Sequence, residues 1–358
     1  MSKMNELKIG NLTAKVPIIQ GGMGVGISLS GLASAVANEG GIGVLATAGI
    51  GEQEKDIFSN FIEANNRGLR NEIRKTKSMT NGIIGVNIMV ALSNYTELVK
   101  VSVEENIDII FSGAGLPLNL PEYVAKSENH PKLVPIVSSG KGAALIAKRW
   151  IEKFNYIPDA FVVEGPRAGG HLGFKKEQLF DENFKLEILL MDVLEKIKPL
   201  EQKYDKKIPV ICGGGIFTGA DIKKFMDLGA SGVQMATRFV VTNECDASDA
   251  FKQAYLDSVE SDIEIIDSPV GMPGRALRNQ YIIDVKNGNK KPFKCPYHCI
   301  VTCDYTNTPY CIAHALTNAK KGQMSHGFAF AGDNVYRVNK IVSVKELIDE
   351  LKNEFESI

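Results

Sequence analysis

A single tryptophan and five histidines occur in 358 residues, and no apolar run approaches the ~20 residues of a bilayer-spanning helix. Neither sign of charge dominates: 41 Lys and Arg against 42 Asp and Glu leave a formal net charge of -1. That balance provides no footprint for nucleic acid or an anionic membrane surface. The N-terminus lacks a signal-peptide core, so the expectation is a cytoplasmic protein. In such a setting six cysteines do not suggest a disulfide framework, and reduced thiols are the default. A separate Rossmann fingerprint is also missing. Gly22 and Gly24 follow an apolar run, but no ribose-binding acid stands at the expected offset.

What the chain does have is glycine, 34 of them, gathered at the ends of short apolar runs. Eight such runs read as strands: 16–20, 42–45, 85–89, 107–111, 133–137, 160–163, 209–212 and 232–235. Their nearly unbroken apolar character indicates burial on both faces, as in a parallel sheet. Between and after them the pattern predicts helices over 30–38, 53–74, 95–105, 120–127, 142–153, 186–204, 219–227 and 247–259, with Thr218 and Asp246 as N-caps of the last two. Eight β-then-α units point to an α/β fold, a (β/α)8 TIM barrel, over a doubly wound open sheet. Two long, charged connections, 50–82 and 174–207, read as helical excursions. Residues 261–332 carry Pro, Gly and Cys without a sustained period and read as a smaller cap or lid segment. The expected division is therefore 1–260 with 333–358 as barrel and 261–332 as cap. An amphipathic helix over 343–355 closes the chain, with Val344, Leu347, Ile348 and Leu351 on one face.

In barrel enzymes the site lies at the C-terminal strand ends, and phosphate often binds after strands seven and eight. Here strand seven runs into Gly213-Gly214-Gly215, and strand eight into Ala236-Thr237-Arg238. Exposed backbone N–H groups, a following helix N-terminus and the Thr237 hydroxyl suit an anion; Arg238 adds charge or braces the loop. Strand one ends in Gln20-Gly21-Gly22-Met23-Gly24, whose main chain can lie against a flat ring. Asn87 interrupts an apolar strand, as a satisfied core amide or a ligand contact. Ser112-Gly113-Ala114-Gly115 and Ser138-Ser139-Gly140 follow strands four and five. A planar ring with a phosphate, such as FMN, fits these small and mostly uncharged ends. Strand six ends in EGPRAGGHLG, which runs from Glu164 to Gly173 and joins backbone access at Ala168, Gly169 and Gly170 to a proton-exchanging side chain, His171.

Taken together, VPIIQGGMG (16–24), GVNIM (85–89), FSGAGLP (111–117), EGPRAGGHLG, IPVICGGGI (208–216) and GVQMATRF (232–239) resemble the nitronate monooxygenase family. That family was formerly called the 2-nitropropane dioxygenases and includes FMN-dependent enoyl-ACP reductases. The resemblance covers the whole barrel and implies non-covalent FMN. It implies Gly22, Met23 and Asn87 along the isoalloxazine, with Gly169 and Gly170 close to the ring. Gly213 to Gly215 with Ala236 and Thr237 would hold the phosphate, and His171 would be the acid/base residue. Ala236 stands where the family usually has Gly, and Pro166-Arg167 replaces a pair containing an acid.

Several chemistries share this constellation. In one, an alkyl nitronate and oxygen give a carbonyl compound and nitrite. In others, NAD(P)H as transient reductant serves an enoyl-ACP or a quinone or flavin reductase. A non-redox barrel binding a phosphate ligand is a further alternative. The expected partner is a small molecule, with a homodimer left open. Arg275 or Arg278, near a Pro- and Gly-rich roof loop (268–275), are candidates to meet a nicotinamide dinucleotide or an acyl carrier. Cys295, Cys299, Cys303 and Cys311 do not match the common paired-x2 zinc spacing and read as small buried hydrophobes, with no metal assigned. The competing reading is a metal or iron–sulfur site, with Pro296 opening a helix that places Cys299 and Cys303 on one face.

Overall fold

The eight apolar runs become eight parallel strands. In the computed structural model, which describes residues 3–124, 130–289 and 294–358, they are β1 (Ile18–Gln20), β2 (Gly43–Ala46), β3 (Ile84–Met89), β4 (Ile109–Gly113), β5 (Lys132–Val137), β6 (Phe161–Glu164), β7 (Val210–Gly213) and β8 (Gly232–Met235). Their order is β1-β8-β7-β6-β5-β4-β3-β2. Ile42 closes the ring, donating to the Ile18 carbonyl at 3.0 Å and accepting from the Gln20 N–H at 3.0 Å. This is a (β/α)8 barrel.

Alternation along each strand explains why the runs are apolar throughout. Ile19, Val44, Phe111, Val134, Val162 and Ile211 fill one buried cluster inside the barrel, while Ile18, Leu45, Val86, Ile110, Leu133 and Phe161 belong to the cluster shared with the helices. The inner cluster also takes Leu7, Ile9 and Ala14 from an antiparallel hairpin, Leu7–Ile9 with Leu12–Ala14. This hairpin sits at the strand starts, opposite the glycine loops, and too few alternating residues mark it in the sequence.

The helices are α1 (Ser30–Asn38), α2 (Phe61–Met79), α3 (Tyr95–Glu104), α4 (Leu120–Val124), α5 (Gly140–Phe154), α6 (Leu186–Tyr204), α7 (Gly219–Asp227) and α8 (Asp249–Leu256). The expected helix 120–127 is described only to Val124; residues 125–127 lie outside the described residues. The long connections carry α2 and α6. The start expected at 53 moves to Phe61, because residues 51–60 fold into successive hydrogen-bonded turns instead.

Thr218 caps α7 in a capping box with Asp221. Asp246 does not cap α8. Ser248 does, accepting from the Phe251 N–H at 3.3 Å. Asp246 reaches across to α1, which has no cap of its own, and accepts from the N–H groups of Leu29, Gly31 and Leu32 at 2.9, 3.3 and 3.2 Å. One carboxylate from the eighth unit thus takes most of the orphan donors of the first helix, and Glu72 on α2 takes the remaining Ser30 N–H at 2.9 Å.

After α8 the chain forms an antiparallel hairpin, β9 (Ile263–Asp267) and β10 (Pro273–Leu277), then α9 (Gln280–Lys286) and α10 (Ile312–Lys320). β10 also pairs with the two-residue strand Gly170–His171, just past β6. Pro296 begins no helix: residues 294–303 are irregular, with one bridge from Ile300 to Leu92. The final helix, α11 (Val344–Glu356), has Ser343 as N-cap and buries Val344, Leu347, Ile348, Leu351 and Phe355. Truncating a side chain such as Leu347 there costs about 2–5 kcal/mol. Among the described residues no helix is long and apolar enough to cross a membrane.

Candidate active site

A cavity of about 280 Å³ opens at the C-terminal strand ends. Gly21, Gly22, Met23, Gly24, Asn87, Glu164, Ala168, Gly169, Gly170, His171, Gly214, Gly215, Ala236 and Thr237 all line it. Two other expected site residues stand apart. Ser138 lies outside the lining and donates to the Gly173 carbonyl at 2.9 Å, tying down the far end of the β6 loop. Gly213 ends β7 in register with Gln234, just beneath the lining.

On one side the chain presents backbone donors. Gly214 and Gly215 have φ of +95° and +90°, a left-handed region in which a Cβ would be strained. That turn directs backbone N–H groups away from the sheet. Among the described residues the N–H groups of Gly214, Gly215 and Ile216 find no acceptor. Beside them, Thr237 Oγ1 accepts from the Gly332 N–H at 3.1 Å, which leaves its own proton to donate. Arg238 is a brace and not an anion ligand: it pairs with Glu350 at 2.8 Å and donates to the Phe217 carbonyl at 3.3 Å.

Polar side chains without partners face the same space. The side-chain amides of Asn87 and Gln234 make no hydrogen bond among the described residues, though each sits on an otherwise apolar strand. Gly22 is the condition for Asn87: a Cβ there would fall 2.4 Å from the Asn87 Cβ. Glu164 keeps some surface toward the cavity but lies deep in the protein, and burial alone pushes its carboxyl up to about 7.

The opposite side is held from outside the barrel. Arg275, 3% exposed, donates through Nη1 to the carbonyls of Pro166 and Ala168 at 2.5 and 2.8 Å. Arg275, one of two candidates to meet a dinucleotide or an acyl carrier, is therefore a clamp on the β6 loop. Arg167 pairs with Asp333 at 2.6 Å and donates to Asn334 at 3.2 Å. His171 pairs with Gly274 in the sheet, meets the edge of Phe330 at 5.0 Å between ring centroids, and places Nε2 2.7 Å from Ser268 Oγ. Burial pushes its imidazole down to about 4, so the ring is neutral near pH 7.

A second cavity of about 70 Å³ shares Val25, Ala48, Met89, His171 and Leu316 with the first. Its walls are largely apolar, with Ile57 and Phe61 on one side and Tyr297, Ile300 and Ile312 on the other. Cys299 also lines it; burial, with a smaller contribution from Cys311 and the other nearby thiols, pushes its thiol up to about 12. All four cap cysteines are free thiols, and among the described residues no group of three or more His, Cys, Asp or Glu is arranged to hold a metal.

Ser268, behind His171, belongs to the expected roof loop, whereas Gln234, Tyr255, Leu316 and Phe330 in the lining were missed by sequence reasoning. Gln234 carried the same signal as Asn87, a polar residue inside an apolar strand. The others arrive from α8, α10 and the stretch before α11, where no local pattern marks them.

A family model described as nitronate monooxygenase matches residues 5–354. A (3aS,4S,5R,7aS)-5-hydroxy-7a-methyl-1-oxo-octahydro-1H-indene-4-carboxyl-CoA dehydrogenase of Mycobacterium tuberculosis is 29% identical over 275 residues, 76% of this chain. The match spans 66% of that dehydrogenase, slightly under two thirds of its length. A probable nitronate monooxygenase of Staphylococcus haemolyticus is 28% identical over 318 residues, covering 79% of this chain and 81% of that protein. The solved structure of FabK from Thermotoga maritima superposes with a TM-score of 0.73 at 26% identity, covering 96% of this chain and 93% of that one.

Proposed function

The chain belongs to the nitronate monooxygenase family and is an oxidoreductase, and on that premise we propose that it uses FMN to oxidise a small alkyl nitronate, with oxygen, to a carbonyl compound and nitrite. One observation carries the reading. A single cavity gathers backbone donors at Gly214 and Gly215 and amides at Asn87 and Gln234, all without partners among the described residues, and a half-buried neutral histidine. These groups fit FMN. The Gly214–Gly215 N–H groups and the Thr237 hydroxyl would take the phosphate, and the amides and Glu164 would meet polar edges of the ring and ribityl chain.

When bound, FMN supplies the redox chemistry, taking electrons from the nitronate and giving them to oxygen. The protein's own residues do the rest. Gly22 and Met23 offer a flat, uncharged wall. His171, neutral and half-buried, can hydrogen-bond to the anionic substrate without a competing charge. The cap residues Phe330 and Leu316 add apolar walls to the same space.

An enoyl-thioester reductase fed by NAD(P)H is the second reading. The observation favouring it is the apolar side chamber next to His171, which suits an acyl chain. Against it, the one cation lining the main cavity among the described residues, Arg167, is already paired with Asp333. The test is direct. Purified protein should be yellow, release FMN on denaturation, and form nitrite from propyl-2-nitronate. Colourless protein that FMN cannot reconstitute would end the flavin reading. Bound FMN without nitrite formation would move the assignment to the reductase.

A further inference from the structure

Behind His171 stands a hydroxyl that its chemistry has not yet used. Ser268 lies 97 residues further along the chain, in the turn between β9 and β10. The turn is tied by Gly271 N–H to the Ser268 carbonyl at 2.9 Å, and pinned from the cap by Thr302 Oγ1 donating to the Val270 carbonyl at 2.7 Å. Ser268 is 9% exposed and lines neither cavity.

The hydrogen-bond count bears on the direction of the Ser268–His171 contact. A serine hydroxyl has one hydrogen to give and two lone pairs to receive. The Val270 N–H, 3.2 Å away, occupies a lone pair of Oγ. Among the described residues the hydroxyl hydrogen has a single acceptor within reach, His171 Nε2 at 2.7 Å. With Nε2 as the acceptor that hydrogen is satisfied and the ring proton resides on Nδ1; with the proton on Nε2 the hydroxyl hydrogen would have no acceptor among the described residues. Nδ1 has no protein partner among the described residues, and the ring lines both cavities.

Resting on the oxidoreductase reading above, we infer that Ser268 is a positioning residue that holds neutral His171 as its Nδ1–H tautomer. The histidine therefore offers the cavity a hydrogen-bond donor and not a base. The substrate it fits is one that arrives with an anionic or carbonyl oxygen, an alkyl nitronate among them. A neutral nitroalkane, whose α-proton must first be removed, does not fit.

The experiment is long-range proton–nitrogen NMR on histidine-labelled protein, recorded without substrate, together with turnover of Ser268→Ala and Ser268→Thr. In the native protein His171 should show a protonated Nδ1 and an unprotonated Nε2. Ser268→Ala should shift the proton toward Nε2 and lower kcat on propyl-2-nitronate about tenfold, the scale of one lost hydrogen bond. Its KM and FMN content should stay near native, and its preference for nitronate over 2-nitropropane should narrow. Ser268→Thr retains the hydroxyl and should restore both tautomer and kcat. A native His171 with its proton on Nε2, or an unchanged tautomer in Ser268→Ala, overturns the inference. The native spectrum decides even if Ser268→Ala does not fold. Colourless protein, by contrast, would remove the flavin reading and leave the tautomer result standing.

Discussion

The two sides of the cavity are made in different ways. On the β7–β8 side, the donors come from backbone whose shape is dictated on the spot: two consecutive glycines with positive φ turn their N–H groups outward, with Thr237 close by. On the β6 side, the loop carrying His171 is shaped from a distance. Arg275 on β10 grips the carbonyls of Pro166 and Ala168, Asp333 holds Arg167, and Ser268 holds the imidazole. The anion side is local chemistry, and the proton side is a tertiary assembly that needs the segment after α8. Binding of FMN and turnover should therefore respond to different mutations.

The largest expected effect tests that separation at its centre. His171→Ala should lower kcat about 10²–10³-fold, the usual cost of removing one positioned donor to a substrate oxygen, while bound FMN stays at the native ratio. Equal loss of flavin and turnover would mean that the two sides are one unit. The reverse variant is Gly214→Ala. Its Cβ would meet the Gly165 carbonyl oxygen at 2.8 Å at a φ of +95°, and such a conformation costs about 1–3 kcal/mol. FMN affinity should fall at least about tenfold for 1.4 kcal/mol of that strain, with turnover per bound flavin nearly native. Dialysis against flavin-free buffer followed by absorbance reads this out.

Arg275→Ala attacks the clamp. It leaves two loop carbonyls without their charged donor and should destabilise the protein by about 2–4 kcal/mol. Turnover should fall more than FMN content does. Denaturant midpoints and flavin ratios on the same samples check both parts.

The smallest effect is in pH dependence without flavin. Glu164 binds its proton more tightly folded, about 7 against 4.5, so its contribution to stability falls as pH rises through that window. His171 binds its proton less tightly folded, about 4 against 6.5, so its contribution rises with pH there. The two slopes oppose each other between roughly pH 4.5 and 6.5. Glu164→Gln should expose the rising slope and His171→Ala the falling one, measured as urea midpoints against pH.

This contrast also marks what was legible in the sequence. All eight strands and the glycine loops could be read, because apolar runs and glycines act over a few residues. Thr218 was legible as a cap for the same reason. Asp246 was not: it caps α1 from more than 200 residues away, a distance no local pattern encodes. Arg275 read as a cation free for a ligand because its two carbonyl partners lie over 100 residues earlier. The competing reading, a helix opened by Pro296, fails because one favourable first residue does not make a helix. His171 itself was visible, but the groups that orient it were not.

One measurement tests the central claim most directly. Under anaerobic conditions the flavin-loaded protein is mixed with propyl-2-nitronate, and separately with NADH and NADPH, while flavin absorbance is followed. The account predicts rapid bleaching by the nitronate, none by either nicotinamide, and recovery when oxygen is admitted. Bleaching by NADH or NADPH with the nitronate inert would contradict it and make the protein a reductase.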